Sequence, residues 1–157
     1  MRESLETSLQ NSIRVALFDR QTIFRAGVRQ ILSSYEDIEV VAECDPSEDV
    51  ASLIENFPPD VALVDINMPA TTGVALARRI SQFSPVTKVI TMSSYFGEEE
   101  LFDSIKAGAG AYLNKNVSPN ELAESIRKVY REEYPVDEYL PTSCIFREFR
   151  HEFPKSG

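Results

Sequence analysis

The sequence predicts an α/β fold of the doubly wound kind, a parallel sheet covered by helices on both faces. Three observations carry the prediction. Short Val- and Ile-rich runs recur along the chain, segments with apolar residues at three- and four-residue spacing separate them, and Pro, Ser and Gly fall where helices should start and stop. Crossovers between parallel strands are almost always right-handed, so the helices divide between the two faces.

The apolar runs are Ile13 to Phe18, Ile38 to Ala42, Val61 to Val64, Val86 to Met92 and the brief Ala111 to Leu113. They read as buried strands, because a parallel strand is covered on both sides and has no polar face. Between them, Ile23, Phe24, Val28, Ile31 and Leu32, and then Val74, Leu76, Ala77 and Ile80, recur at helical spacing. Pro46-Ser47 precedes the second helix and Pro58-Pro59 follows it. Ala107-Gly108 closes the fourth helix, and Ser118-Pro119 with Glu121 opens the fifth. The pattern is therefore βα repeated five times over residues 12–131. Residues 132–157 read as an acidic, proline-bounded linker and a short amphipathic helix. In that helix Phe146, Phe149 and Phe153 share one face, and Arg147, Arg150 and His151 share the other.

Composition narrows the function. The 157 residues carry 16 Lys+Arg against 25 Asp+Glu, a formal net charge of −9. A surface that tracks a nucleic-acid backbone needs clustered cations, so direct DNA contact by this chain is not expected. With 43% hydrophobic residues there is enough apolar material for a core. Cys44 and Cys144 lie far apart and His151 is the one histidine, which fits neither a disulfide scaffold nor a zinc knuckle. Met1 to Ser12 lacks the apolar core of a signal peptide, and no run approaches a membrane span. A reduced cytoplasmic location, away from membranes, is the expectation.

In a doubly wound sheet, ligand chemistry sits at the carboxyl ends of the strands. Asp19, Asp65 and Ser93 stand at three such ends, with Lys115 just past a fourth. A carboxylate beside a lysine and a hydroxyl suits acyl-phosphate chemistry: one oxygen attacks phosphorus, while the cation and the donor take up charge on the other phosphoryl oxygens. Singly, each residue is weak evidence, since a strand-end Asp is often only a turn former. The ordered set is the signal.

Val64-Asp65-Ile66-Asn67-Met68-Pro69 followed by Gly73 resembles the phosphoacceptor loop of two-component response regulator receiver domains. The resemblance runs from Ile13 to Tyr130 and includes Leu17-Phe18-Asp19, Thr87 to Ile90 leading to Ser93, and Ala107-Gly108-Ala109 with Tyr112, Leu113 and Lys115. Phe24-Arg25-Ala26-Gly27 and Ser118-Pro119-Asn120-Glu121-Leu122 are most similar to the NarL/FixJ subgroup. The resemblance implies a flavodoxin-like (βα)5 sandwich with sheet order 2-1-3-4-5. It implies a cytoplasmic phosphorelay switch rather than an enzyme, controlling transcription through an output domain beyond these residues.

By the same resemblance Asp65 is the phosphoacceptor and Lys115 its cationic partner. Ser93 and Tyr112 are the switch pair, and Asp19, Asp65 and the Asn67 backbone carbonyl are magnesium ligands. A sensor histidine kinase or a small phosphodonor would supply the phosphoryl group. A homodimer would form through the fourth helix, fifth strand and fifth helix, or through the C-terminal helix. Tyr95, Phe96, Leu101 and Phe102 are candidate exposed contacts, and Tyr112 would pack inward on phosphorylation.

One position departs from the family pattern. Receivers usually carry two acids at the end of the first strand, whereas Asp19 is followed here by Arg20. If Arg20 points inward, it and Lys115 cancel Asp19 and Asp65, and magnesium binds weakly or not at all. The guanidinium fork fits two carboxylate oxygens, which favours Arg20 lying across the pocket; an outward Arg20 would leave a two-carboxylate site. A phosphorylation-independent pseudo-receiver, with Arg20 in place of the metal, is the competing reading. A flavodoxin-like redox protein is the third, disfavoured because Asp19 stands where a phosphate-binding loop needs backbone donors.

Overall fold

Strand β1, Ile13–Phe18, forms the centre of the fold because its side chains feed two cores at once. Val15 and Leu17 point to one face of the sheet, Ala16 and Phe18 to the other. This is the period-two alternation of a strand buried on both sides. The computed structural model describes residues 12–45, 54–56, 58–67, 72–94, 97–132 and 143–145.

After β1 come α1 (Thr22–Leu32), β2 (Ile38–Cys44), a helix α2 of which residues 54–56 are described, and β3 (Val61–Asp65). Then follow α3 (Thr72–Phe83), β4 (Lys88–Ser93), α4 (Glu98–Lys106), β5 (Ala111–Asn114) and α5 (Pro119–Tyr130). These five strands run parallel in the order β2-β1-β3-β4-β5, the order that the family resemblance implies. Helices α1 and α5 supply Val28, Leu32, Leu122, Ile126 and Val129 to one core. Helices α2, α3 and α4 supply Ile54, Leu76, Ala77, Ile80 and Leu101 to the other.

Local chemistry sets the ends. Ser118 caps α5, its hydroxyl accepting the Glu121 N–H at 3.1 Å, and Pro119 starts the helix where no amide donor is needed. Gly108 follows α4 with φ +91°, a left-handed conformation that glycine adopts without penalty. Strand β4 begins at Lys88 rather than Val86, which is 74% exposed: Pro85 and Val86 lie in the turn in which the Thr87 N–H reaches the Ser84 carbonyl.

Two readings are corrected here. Ser143–Ile145 is not the start of a helix; it is a strand, β6, antiparallel to β5. Without it β5 would be an edge with unpaired amide groups, and pairing satisfies them, which outweighs the three- and four-residue spacing farther on. Phe146, Arg147, Phe149, Arg150, His151 and Phe153 lie outside the described residues, as do Tyr95 and Phe96. Leu101 is not an exposed contact: it faces the core with Ser104 at 8% exposure, whereas Phe102 on the other side of α4 is 39% exposed.

Arg127 of α5 ties the helix to the α1–β2 turn. Its Nε and Nη2 reach the two oxygens of Asp37 at 2.7 and 2.9 Å, and its guanidinium lies 5.3 Å from the centre of the Tyr35 ring. The hydrogen bond from Arg127 holds the Asp37 carboxyl below its ordinary value of 3.8. A depressed folded-state value means the pair stabilises the protein above pH ~4 and loses its effect as pH falls through the lowered value. Because the Asp37 side chain is 46% exposed, Arg127→Met should cost under about 1 kcal/mol at neutral pH. Denaturation midpoints of the two proteins should converge in acid; a constant gap would show that Arg127 acts through packing alone.

Candidate functional site

Asp19 and Asp65 are placed by one local device used twice. Asp19 directly follows β1, and its Oδ1 accepts the Gln21 N–H at 2.7 Å. Asp65 ends β3, and its Oδ1 accepts the Asn67 N–H at 2.9 Å. In each, a strand-end carboxylate accepts the amide two residues on, the Asx-type turn that starts a loop. This fixes the rotamer and leaves Oδ2 to face the neighbouring strand end.

Between the two Oδ2 atoms stands Lys115. Its Nζ lies 2.8 Å from Asp19 Oδ2 and 3.3 Å from Asp65 Oδ2. The lysine is held in register by its own backbone, whose N–H donates to the Ser93 carbonyl at 2.7 Å. Both aspartates and the lysine side chain are buried, so these charges act largely unscreened by water. Two carboxylates and one ammonium leave a single net negative charge.

Ser93 and Asn67 complete the ring of contacts. The Ser93 hydroxyl donates to Asn67 Oδ1 at 2.6 Å, and the Ser94 N–H donates to the same oxygen at 2.8 Å. Thus β4 is linked to the Asp65 loop through the Asn67 side chain. The sequence reading had singled out only the Asn67 backbone carbonyl, and the side-chain role is an addition to it.

The structure brings Asp19, Asp65, Ser93 and Lys115 to one end of the sheet. It does not bring Arg20 there. Arg20 is exposed and bridges neither carboxylate, contrary to the inward placement. Lys115 already joins the two Oδ2 atoms, so an inward guanidinium would bring a second cation against the buried Lys115 ammonium. Tyr112 is also already inward: its ring is wholly buried, and its hydroxyl accepts the Gly97 N–H at 3.4 Å, above α4. A buried phenol needs a partner for its polar end, and the turn into α4 supplies one.

Sequence reasoning missed three contributors. Gln21 accepts a hydrogen bond from Lys115 Nζ through Oε1, the Phe24 ring centre lies 4.3 Å from that nitrogen, and Arg25 donates to the Asp19 backbone carbonyl. The available signal was position: all three lie within six residues of Asp19, at the N-cap and first turn of α1.

Magnesium accepts one or two carboxylates together with neutral oxygens and keeps water on the rest of its shell. Asp19, Asp65 and the Asn67 carbonyl are a donor set of that kind, with Lys115 competing for the carboxylate oxygens. Among the described residues no cluster of three or more His, Cys, Asp or Glu converges.

Comparison with known proteins agrees with this fold. The sequence pattern of the response regulator receiver domain matches residues 15–127. The transcriptional regulatory protein YxjL of Bacillus subtilis is 36% identical over 141 residues, 90% of this chain and 65% of that protein. The transcriptional regulatory protein DegU of Brevibacillus brevis is 36% identical over 120 residues, 76% of this chain and 51% of its own length. The chain thus spans about half to two thirds of the curated relatives it matches. Among solved structures, the signal receiver domain of NarL from Mycobacterium tuberculosis superposes with a TM-score of 0.71 at 27% identity, covering 77% of this chain and 98% of that one. A LuxR-family DNA-binding response regulator from Staphylococcus aureus gives 0.68 at 28% identity, covering 75% and 98%.

Proposed function

The chain belongs to the response regulator receiver domain family, and from that premise we propose that Asp65 accepts a phosphoryl group and that the domain switches its partner contacts in response. The observation that supports this most is the Asp65 carboxylate, held by the Asn67 N–H with its second oxygen 3.3 Å from an ammonium. That oxygen attacks phosphorus, and the bond from phosphorus to the donor's leaving group breaks with the electron pair leaving on the donor. Catalysis of such a transfer is mainly positioning and charge neutralisation. Lys115 supplies the charge. Ser93 supplies a short hydroxyl donor once it turns from Asn67 toward a phosphoryl oxygen, and that turn leaves the Ser94 N–H as the remaining bond to Asn67 Oδ1.

The phosphodonor is a sensor histidine kinase or a small acyl phosphate. A bound magnesium ion would be held by Asp19, Asp65 and the Asn67 carbonyl and would supply further positive charge to the phosphoryl oxygens. Tyr112 and Ser93 sit on adjacent strands, β5 and β4, so a shift at Ser93 is transmitted to the α4–β5–α5 face. There a homodimer or another partner would read it, as one of two packings favoured by the phosphate. The output is transcription, through a domain of the kind the regulatory relatives imply. Incubation with acetyl phosphate and magnesium, followed by intact-mass spectrometry, tests the reading: one added phosphoryl group supports it, and an unchanged mass removes it.

The exposed Arg20 retains one role, an electrostatic one. Its charge lies next to Asp19 in sequence and repels a divalent cation without touching it. Arg20→Asp changes the local charge by two units and should tighten magnesium binding at least about tenfold, ~1.4 kcal/mol. Magnesium titration followed by amide shifts around Asp65 reads this; equal affinities would show that Arg20 is without influence.

A further inference from the structure

We infer that Gln21 and Phe24 form a cradle that holds the Lys115 ammonium at Asp19, making Gln21 a positioning residue for the phosphoacceptor site. The inference rests on the reading of Asp65 given above and deepens it. A lysine ammonium has three N–H donors and no acceptor. Three oxygens lie around Lys115 Nζ: Asp19 Oδ2, Asp65 Oδ2 and Gln21 Oε1. The Phe24 ring centre lies 4.3 Å from the same nitrogen, within the range of a cation–π contact. Each of the three N–H donors therefore has an oxygen within reach.

The four contacts are unequal. The Asp65 distance, 3.3 Å, is the longer of the two carboxylate contacts, so the ammonium rests on the α1 side of the site. Gln21 is bound into that side twice: its backbone N–H holds Asp19 Oδ1 while its side chain takes the lysine. When Asp65 Oδ2 becomes bonded to phosphorus, the contact that must be exchanged is the longer of the two carboxylate contacts. The other three keep the ammonium in place to donate to a phosphoryl oxygen. Without Gln21, a long flexible lysine would have one fewer tether, and part of its population would leave for solvent.

The test uses the full chain, free of divalent cations, and observes the Lys115 ammonium directly by lysine-selective ¹H–¹⁵N NMR, assigned by its disappearance in Lys115→Arg. In the wild type a slowly exchanging ammonium signal is expected. Gln21→Met, similar in length but with no oxygen acceptor, should speed its hydrogen exchange about tenfold or erase the signal. Gln21→Glu, which restores an acceptor, should retain it, and Phe24→Leu should fall between. A purely structural role for Gln21 would not produce rescue by Glu together with loss in Met. Unchanged exchange in Gln21→Met overturns the cradle, whatever the fate of phosphorylation. Conversely, the expected exchange pattern in a wild type that acetyl phosphate leaves unmodified upholds the cradle and removes the phosphoacceptor reading.

Discussion

Asp65→Asn is expected to abolish phosphoryl loading entirely while leaving the fold in place. The amide has the shape of the carboxylate, so its oxygen can still accept the Asn67 N–H that holds the wild-type side chain at 2.9 Å. It carries no charge and is not a nucleophile toward phosphorus, so the bond cannot form. Lys115 keeps its closer partner, Asp19, at 2.8 Å, so no buried cation is left unpaired. Acetyl phosphate and magnesium should therefore add one phosphoryl group to the wild type and none to the variant by intact mass, with matching thermal transitions. Loading that persists in Asp65→Asn would place the acceptor elsewhere. Asp19 would then be the first residue to test, although Gln21 and Lys115 engage both of its oxygens.

What could be read from the sequence divides along a physical line. Parallel strands end together, so any residue at the carboxyl end of one strand approaches those at the ends of its neighbours; Asp19, Asp65, Ser93 and Lys115 follow from strand position alone. The two-faced packing followed likewise from apolar runs without a polar face. Side-chain direction did not follow. Arg20 could turn in or out with the same backbone, and the choice depends on Lys115 already standing between Asp19 and Asp65, which is a property of three segments together. The Asn67 side chain, reaching Ser93 and the Ser94 amide, is of the same kind. At Ser143–Ile145 the helical spacing of the later phenylalanines was real, but the open edge of β5 decided the local conformation.

Gly73→Ala should destabilise the protein by about 3 kcal/mol, and Gly27→Ala should stabilise it by a few tenths to 1 kcal/mol, although both glycines lie in helices. In a helix interior, alanine is normally the better residue because glycine loses more backbone freedom on folding. Nothing lies within 4 Å of a Cβ added at Gly27, so that gain should appear there unopposed. A Cβ at Gly73 would stand 2.3 Å from the Asp65 carbonyl oxygen and 2.7 Å from the Ile66 Cα. Both are backbone atoms at the end of β3 and cannot turn aside as a side-chain tip could. Either α3 moves outward, opening the core beneath Leu76 and Ala77, or the Asp65–Ile66 peptide moves and carries the carboxylate away from Lys115. Denaturant midpoints distinguish the signs at the two positions. Acetyl phosphate loading, measured under conditions where the variant remains folded, distinguishes the two routes: a loss of rate shows that the peptide yields, and an unchanged rate shows that the helix does. The opposite signs at two helical glycines would follow from close approach alone, since helix propensity by itself gives the same sign at both.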